Sequence, residues 1–327
     1  MIDMEIEVDA WRDKPEIQVF VREQLLSVVE SLAKSYELDL SRLLGLTVTD
    51  RFDEALTSFD DGAIQNGRTL TRTNGATVGV AVTPICKRNG HAYCRIFIQA
   101  DDVWSILKNG DKQSRYILLH ELGHANDLAQ KAKTIEHIVL DLPGNEQMPP
   151  VFWQIADVVW NEYAACRISA KEHPEMLLTM YSMLDHAIEA LAAHIRMLIS
   201  ASRRGAALQE LLDIATAAIE PILKHNSHVL GHRASLGQSP LPLPPELEEL
   251  LGENQLRSVY EEEGAILANM WESHGDWEST SVYDSLLDLV RRAYAACGLE
   301  IYEEDAKAKV RGMPDVLQRF LSPKLGL

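Results

Sequence analysis

His120 and His124, four residues apart in SRYILLHELGHANDLAQ, are the residues whose type and spacing most directly describe chemistry. The apolar and small residues around them recur with a helical period. On a helix, positions i and i+4 project from one face, so two imidazoles can reach a single ion. Glu121 follows His120 and is displaced around the helix, placed to accept a proton from a metal-held water rather than to bind the ion. That is the division of labour hydrolysis needs. Gly123 is disfavoured in a helix interior by roughly 1 kcal/mol against alanine, so its presence predicts that a substrate backbone or a packed neighbour comes close. The bland alternative is a pair of histidines flanking a glutamate, with ordinary hydrogen bonds to their neighbours.

A catalytic ion needs a third protein ligand, and Glu162 in VVWNEYAACRISA is the candidate. At helical spacings around it lie Ile155, Val158, Val159, Ala165, Cys166 and Ser169, so Glu162 interrupts an apolar face that should turn inward. A charged carboxylate buried alone costs several kcal/mol, and a divalent cation removes that penalty. A buried salt bridge would remove it too.

HELGH followed by a glutamate on a later helix resembles the gluzincin metallopeptidases, and within them the compact ImmA/IrrE-like type. The order of elements is similar as well: support helix, small sheet, HExxH helix, then a helix with glutamate and a small residue three positions on, here Glu162 and Ala165. The likeness covers about residues 15 to 172. It implies a zinc-dependent peptidase, with His120, His124 and Glu162 as ligands, water at the fourth position, and Glu121 as general base. It also implies an extended peptide substrate laid against the edge strand before the metal helix, here roughly Ala92 to Gln99.

Thermolysin-like relatives carry Asn-Glu at the third-ligand position, matched by Asn161 and Glu162. Four residues later they have an aspartate that orients a ligating histidine, where this chain has Cys166. The outer contacts of the ligands must therefore differ. Asp127, on the metal face of its helix, is a candidate to accept a ligand's outer N–H; a solvated acid near a helix end is the alternative. A thiol ligand at Cys166 is weaker than a small buried thiol. For the oxyanion, Tyr163 stands beside the third ligand. Relatives take a histidine from a downstream helix, which brings forward His225, His228 and His232. A second metal site there is disfavoured by Gly231 and by the lack of nearby carboxylates in sequence, and an exposed histidine cluster is the bland reading. His186 and His194 read as satisfied core or surface histidines.

The elements that must hold these groups suggest an α+β fold: a small β-sheet with a support helix and the HExxH helix, followed by a large all-α C-terminal region. A helix is predicted from Pro15 to about Lys34. Strands are predicted at Leu46–Thr49, Thr77–Thr83 and Ala92–Gln99, the last two joined by a turn at Asn89-Gly90. A two-residue turn would pair Cys86 with Tyr93; a three-residue loop would set Cys86 opposite Cys94. Phe59 to Gly75 reads as a loop. After Asp101 strand signals give way to helices at Gln113–Lys131, Val151–Lys171, Met176–Ser202, Leu208–His225, Gln255–Trp271, Val282–Ala296 and a short one near Asp315–Leu321. Two parts are expected, a metallopeptidase-like domain over 1–175 and a helical region over 176–327 that the proline-rich stretch 237–246 would divide into two lobes.

Nearly half the residues are apolar and the net charge is −18, which suits a soluble protein with a large core and argues against nucleic acid as the main partner. No apolar run has the length of a membrane span, and MIDMEIEVDAW lacks the form of a secretory signal, so the expected location is the cytoplasm. The four cysteines, without CxxC spacing, are expected to be reduced. The expected partner is a protein or peptide substrate. The alternative is a non-catalytic regulatory module on a metallopeptidase scaffold, binding a protein through its C-terminal helices.

Overall fold

The computed structural model describes residues 4–59, 80–140, 150–238, 245, 256–304 and 307–312. It is α+β with a large helical region, as expected. The elements run β1 (Glu5–Val8), α1 (Pro15–Ser35), β2 (Leu43–Thr49), α2 (Phe52–Thr57), β3 (Ala81–Val82), β4 (Ile85–Arg88), β5 (His91–Gln99), α3 (Ala100–Asn109), α4 (Lys112–Lys131) and α5 (Glu136–Leu140). After these come α6 (Pro150–Ser169), α7 (Met176–Arg203), α8 (Leu208–Leu236), α9 (Leu256–Glu272), a 3-10 turn (Thr280–Tyr283), α10 (Asp284–Ala296), β6 (Leu299–Glu304) and β7 (Lys307–Gly312). The expected loop at Phe59–Gly75 falls outside the described residues except Phe59, and so does the helix near Asp315. The proline-rich stretch is described only at Gly237, Gln238 and Pro245.

Contacts divide the chain into two units, neither continuous in sequence. The first comprises Met1–Asp141, Ala164–Met176 and His274–Ser279; the second comprises Leu142–Tyr163, Leu177–Ser273 and Thr280–Leu327. In the first unit the sheet has the order β1-β2-β5-β3, with β1, β2 and β5 parallel. Alternation sends Leu46, Val48, Cys94, Ile96 and Ile98 to one face, where they pack with Val21, Leu25 and Val29 of α1, Val103 of α3, and Leu118, Leu119 and Leu122 of α4. Phe97 faces the other way, against Phe52 and Leu56 of α2. The helix carrying the histidines thus rests on a sheet whose core side is wholly apolar.

The β4–β5 turn has two residues, with Arg88 opposite His91 and Cys86 opposite Tyr93. Asn89 and Gly90 have φ values of 52° and 85°, the left-handed pair that a tight hairpin turn requires. All four cysteines are free and buried. Burial pushes the Cys86 and Cys94 thiols upward, and Cys297 to about 12, which keeps them protonated.

Several expectations need correcting. Strand Ala92–Gln99 is not an edge: β2 pairs along one side of β5, and β3 and β4 pair along the other. The register of β3 continues into β4 across Thr83 and Pro84, since Val82 faces Phe97 and Ile85 faces Cys94. Among the described residues, the sheet edge nearest α4 is therefore Ala81–Arg88. Strand structure also returns after Asp101, in the antiparallel pair β6–β7. α8 does not stop at His225 but runs to Leu236, where Gly237 at φ 63° closes it.

Among the described residues, the regular structure of the second unit is helical apart from β6–β7. Its interior holds Phe152, Val159 and Trp160 of α6, Leu184 and Ile188 of α7, Ile219 and Ile222 of α8, Leu267 of α9, and Leu286 and Tyr294 of α10. No helix among the described residues is long and apolar enough to cross a membrane.

Candidate metal centre

α4 begins at a built cap, with the Asp111 carboxylate accepting the Ser114 N–H at 2.8 Å. Leu118, Leu119, Leu122, Ala125 and Leu128 bury its inner face, while Ile117, His120 and His124 stay half-exposed along one stripe. The Nε2 atoms of His120 and His124 are 3.1 Å apart. Two nitrogens on one tetrahedral zinc, each at about 2.0–2.1 Å, must lie roughly 3.3 Å apart, so the pair needs only a few tenths of an ångström of adjustment to hold such an ion. One ligand atom from each of His120, Glu121 and His124 falls within 4.8 Å of the others, a group able to hold a metal.

Two members of the group, His120 and Glu121, and the glycine beside them meet other parts of the first unit. Cys166, fully buried on α6, places its Sγ 3.7 Å from His120 Nδ1 and 3.6 Å from the Tyr116 hydroxyl. The thiol therefore meets the ring nitrogen opposite the one facing His124. That assigns Cys166 to the outer edge of His120 rather than to an ion held by Nε2. Glu121 is buried at 7% exposure, and its Oε2 accepts the Thr83 hydroxyl at 2.5 Å. Gly123 meets the packed neighbour its sequence position required: a methyl group there would lie 3.0 Å from Ala165 Cα and 3.3 Å from Ala165 Cβ.

Asp127 engages a histidine, and that histidine is His274. Oδ1 is 2.9 Å from His274 Nε2, and Oδ2 is 2.8 Å from Lys131 Nζ. Asp127 is nearly inaccessible rather than solvated, and although burial raises its carboxyl, Lys131 and His274 outweigh that and hold it well below the usual carboxylate range.

The remaining residues expected at the site lie in the second unit. Glu162 pairs with Lys224 Nζ at 3.0 Å and His228 Nε2 at 2.9 Å. Asn161 Nδ2 donates to Asp157 Oδ2 at 3.0 Å, and Asp157 Oδ1 accepts the Tyr283 hydroxyl at 3.1 Å. Tyr163 is 1% exposed, with its ring beside Trp160 and Trp271. The histidines of α8 are not an exposed cluster: His228 and His232 are buried, and a carboxylate absent from their sequence neighbourhood, Glu162, meets His228. Burial, aided by His228 and Lys224, lowers His225 to about 3 and keeps it neutral. His186 and His194 are satisfied on α7 through the backbone oxygens of Ser182 and Ala190.

Thr83 and His274 escaped sequence reasoning, and Cys166 was weighed as a departure from a pattern and as a weaker thiol ligand, not as a neighbour of the outer edge of His120. Thr83 had no signal beyond a hydroxyl in a predicted strand. His274 lies in HGDW, 147 residues from its partner Asp127. Compared with protein-family models, curated proteins and solved structures, the chain gives no match.

Proposed function

We propose that the chain is a zinc-dependent peptidase acting on a protein or peptide in the cytoplasm, with His120 and His124 holding the metal and Glu121 as general base. The observation that carries this reading is the pair of imidazole nitrogens 3.1 Å apart, with the Glu121 carboxylate in the same group. Zinc, when bound, would supply the Lewis acidity that makes water a competent nucleophile near neutral pH and polarises a carbonyl. The chain's own residues do the rest. The buried Glu121 carboxylate takes a proton from water and returns it to the leaving amine, while Thr83 steadies the carboxylate. Cys166 sets the outer edge of His120, which fixes the ring plane.

The third protein ligand rests on the sequence. Glu162 is its candidate, and in that role a cation would compete with Lys224 and His228 for the carboxylate. Metal content of Glu162→Gln decides it, because full zinc occupancy would remove Glu162 from the ligand set.

The function is tested with Glu121→Gln, using metal analysis and cleavage of a quenched peptide library. Retained zinc with cleavage lowered by roughly 100-fold to 10,000-fold is expected, the range for a lost general base. Cleavage equal to the wild type would refute the assignment of Glu121. A wild type that binds zinc and cleaves nothing would favour the regulatory alternative.

A further inference from the structure

We propose that Thr83 is a positioning residue for Glu121, holding its carboxylate in one orientation on the metal helix. The proposal rests on the peptidase reading above. Thr83 Oγ1 donates to Glu121 Oε2 at 2.5 Å and lies 3.5 Å from the Glu121 main-chain oxygen, so its single proton goes to the nearer carboxylate. A carboxylate at 7% exposure needs such a donor, because burial without one is costly.

The position of this hydroxyl is dictated by the sheet rather than by a free loop. Thr83 and Pro84 lie between β3 and β4, and the backbone on both sides is fastened to β5. Gln99 N–H donates to Val80 O at 3.0 Å, and Arg95 N–H donates to Pro84 O at 3.2 Å. Pro84 further restricts Thr83 to extended backbone, and a β-branched side chain is stiff at χ1. The edge segment and the general base are thereby coupled through one hydroxyl. Removing this hydroxyl takes away the hydrogen bond that aims Oε2, and a misplacement of about 1 Å lowers a rate by about 100-fold.

Thr83→Val keeps the shape and removes the donor; Thr83→Ser keeps the donor; Thr83→Ala replaces Thr83→Val if the valine variant does not fold. A double-mutant cycle with Glu121→Ala, read by urea unfolding of metal-free protein, should show coupling of about tenfold in the unfolding constant. The cobalt(II)-loaded protein then separates positioning from mere support. Thr83→Val should bind the same equivalent of cobalt, move its visible spectrum toward that of Glu121→Gln, and cleave the quenched peptide library about 10-fold to 100-fold more slowly. Thr83→Ser should restore both the spectrum and the cleavage. Coupling below about twofold overturns the proposal, as does a Thr83→Val protein with wild-type spectrum and cleavage. A wild type that takes up no cobalt refutes the metal reading itself and removes the role of Thr83 with it, a failure visible before any variant is made.

Discussion

Replacing Gly123 by alanine adds one methyl to α4, and two opposing effects set the sign of the result. In an isolated helix the change would stabilise by roughly 0.5–1 kcal/mol, because glycine loses more backbone entropy on folding. Here the new methyl would lie 3.0 Å from Ala165 Cα and 3.3 Å from Ala165 Cβ. Ordinary carbon contacts begin near 3.5 Å, so α6 would have to retreat by about half an ångström. It is poorly placed to do so. Just beyond its end Glu172 accepts the Arg115 Nε–H at 3.0 Å and the Tyr36 hydroxyl at 2.9 Å, which ties it to α4 and to the end of α1. Overpacking a fixed contact costs about 1–3 kcal/mol. The steric term wins, giving a net loss of about 1 kcal/mol and a fall in Tm of roughly 2–4 °C. Cys166 would retreat with Ala165 and loosen its contact with His120 Nδ1, so zinc affinity should fall by about tenfold as well. Thermal unfolding of the metal-free protein and competitive zinc titration read the two effects separately. A Gly123→Ala protein more stable than the wild type, with unchanged zinc affinity, would refute the reasoning.

Asp127→Asn removes the charge opposite Lys131, whose side chain is only 3% exposed, and should cost about 3 kcal/mol at pH 7 by urea unfolding. Because the Asp127 carboxyl is held low, its contribution is present above the ordinary carboxylate range and is lost as pH falls through and below it. The wild type should therefore lose stability more steeply than the variant between pH 6 and pH 3. Glu263 behaves oppositely: it is fully buried, burial raises it well above its ordinary value against the Asn226 hydrogen bond, and its contribution is present at low pH and lost as pH rises through the raised value. Glu263→Gln should flatten the decline in stability that the wild type shows from pH 5 to pH 8, and equal slopes in the two proteins would refute the assignment.

What could be read from the sequence follows how local each cause is. α1 opens at Pro15 because proline suits a first helical turn, and the β4–β5 turn follows from Asn89-Gly90 alone. β1 alternates exposed and buried residues across Glu5–Val8, but four residues are a weak signal unless the partner β2 is known. β6 and β7 are short and rich in charge, so their pairing outweighs a poor strand pattern. The central place of β5 is a matter of which strands return beside it, and sequence order does not state that. The site divides the same way. His120, Glu121 and His124 owe their arrangement to one helical turn, and Glu162 stands out because it interrupts an apolar stripe. Its partners Lys224 and His228, like Thr83 and His274, are brought by tertiary folding; the histidine cluster marks His228 locally, but nothing there points to Glu162, and nothing in their own neighbourhoods marks the other three.

The non-local contacts bear on whether the metal builds the site or only occupies it. Along α4, Glu172 holds Arg115, Cys166 meets Tyr116 and His120, and Thr83 holds Glu121. Ala165 packs on Gly123, the Asp39 N–H donates to Asn126 Oδ1 at 2.8 Å, and His274 meets Asp127. Each of these contacts joins groups of the chain itself, and the apolar core beneath them is continuous with the sheet. A small zinc module whose ligands are its main organising contacts unfolds when the metal is removed. Here removal should withdraw only the binding free energy itself, about 3 kcal/mol at a free zinc level 100 times the Kd. Chelation should accordingly leave the helical circular dichroism at 25 °C unchanged and lower Tm by several degrees. A cooperative loss of helix on chelation would mean that the ion, and not this set of contacts, holds the histidines in place.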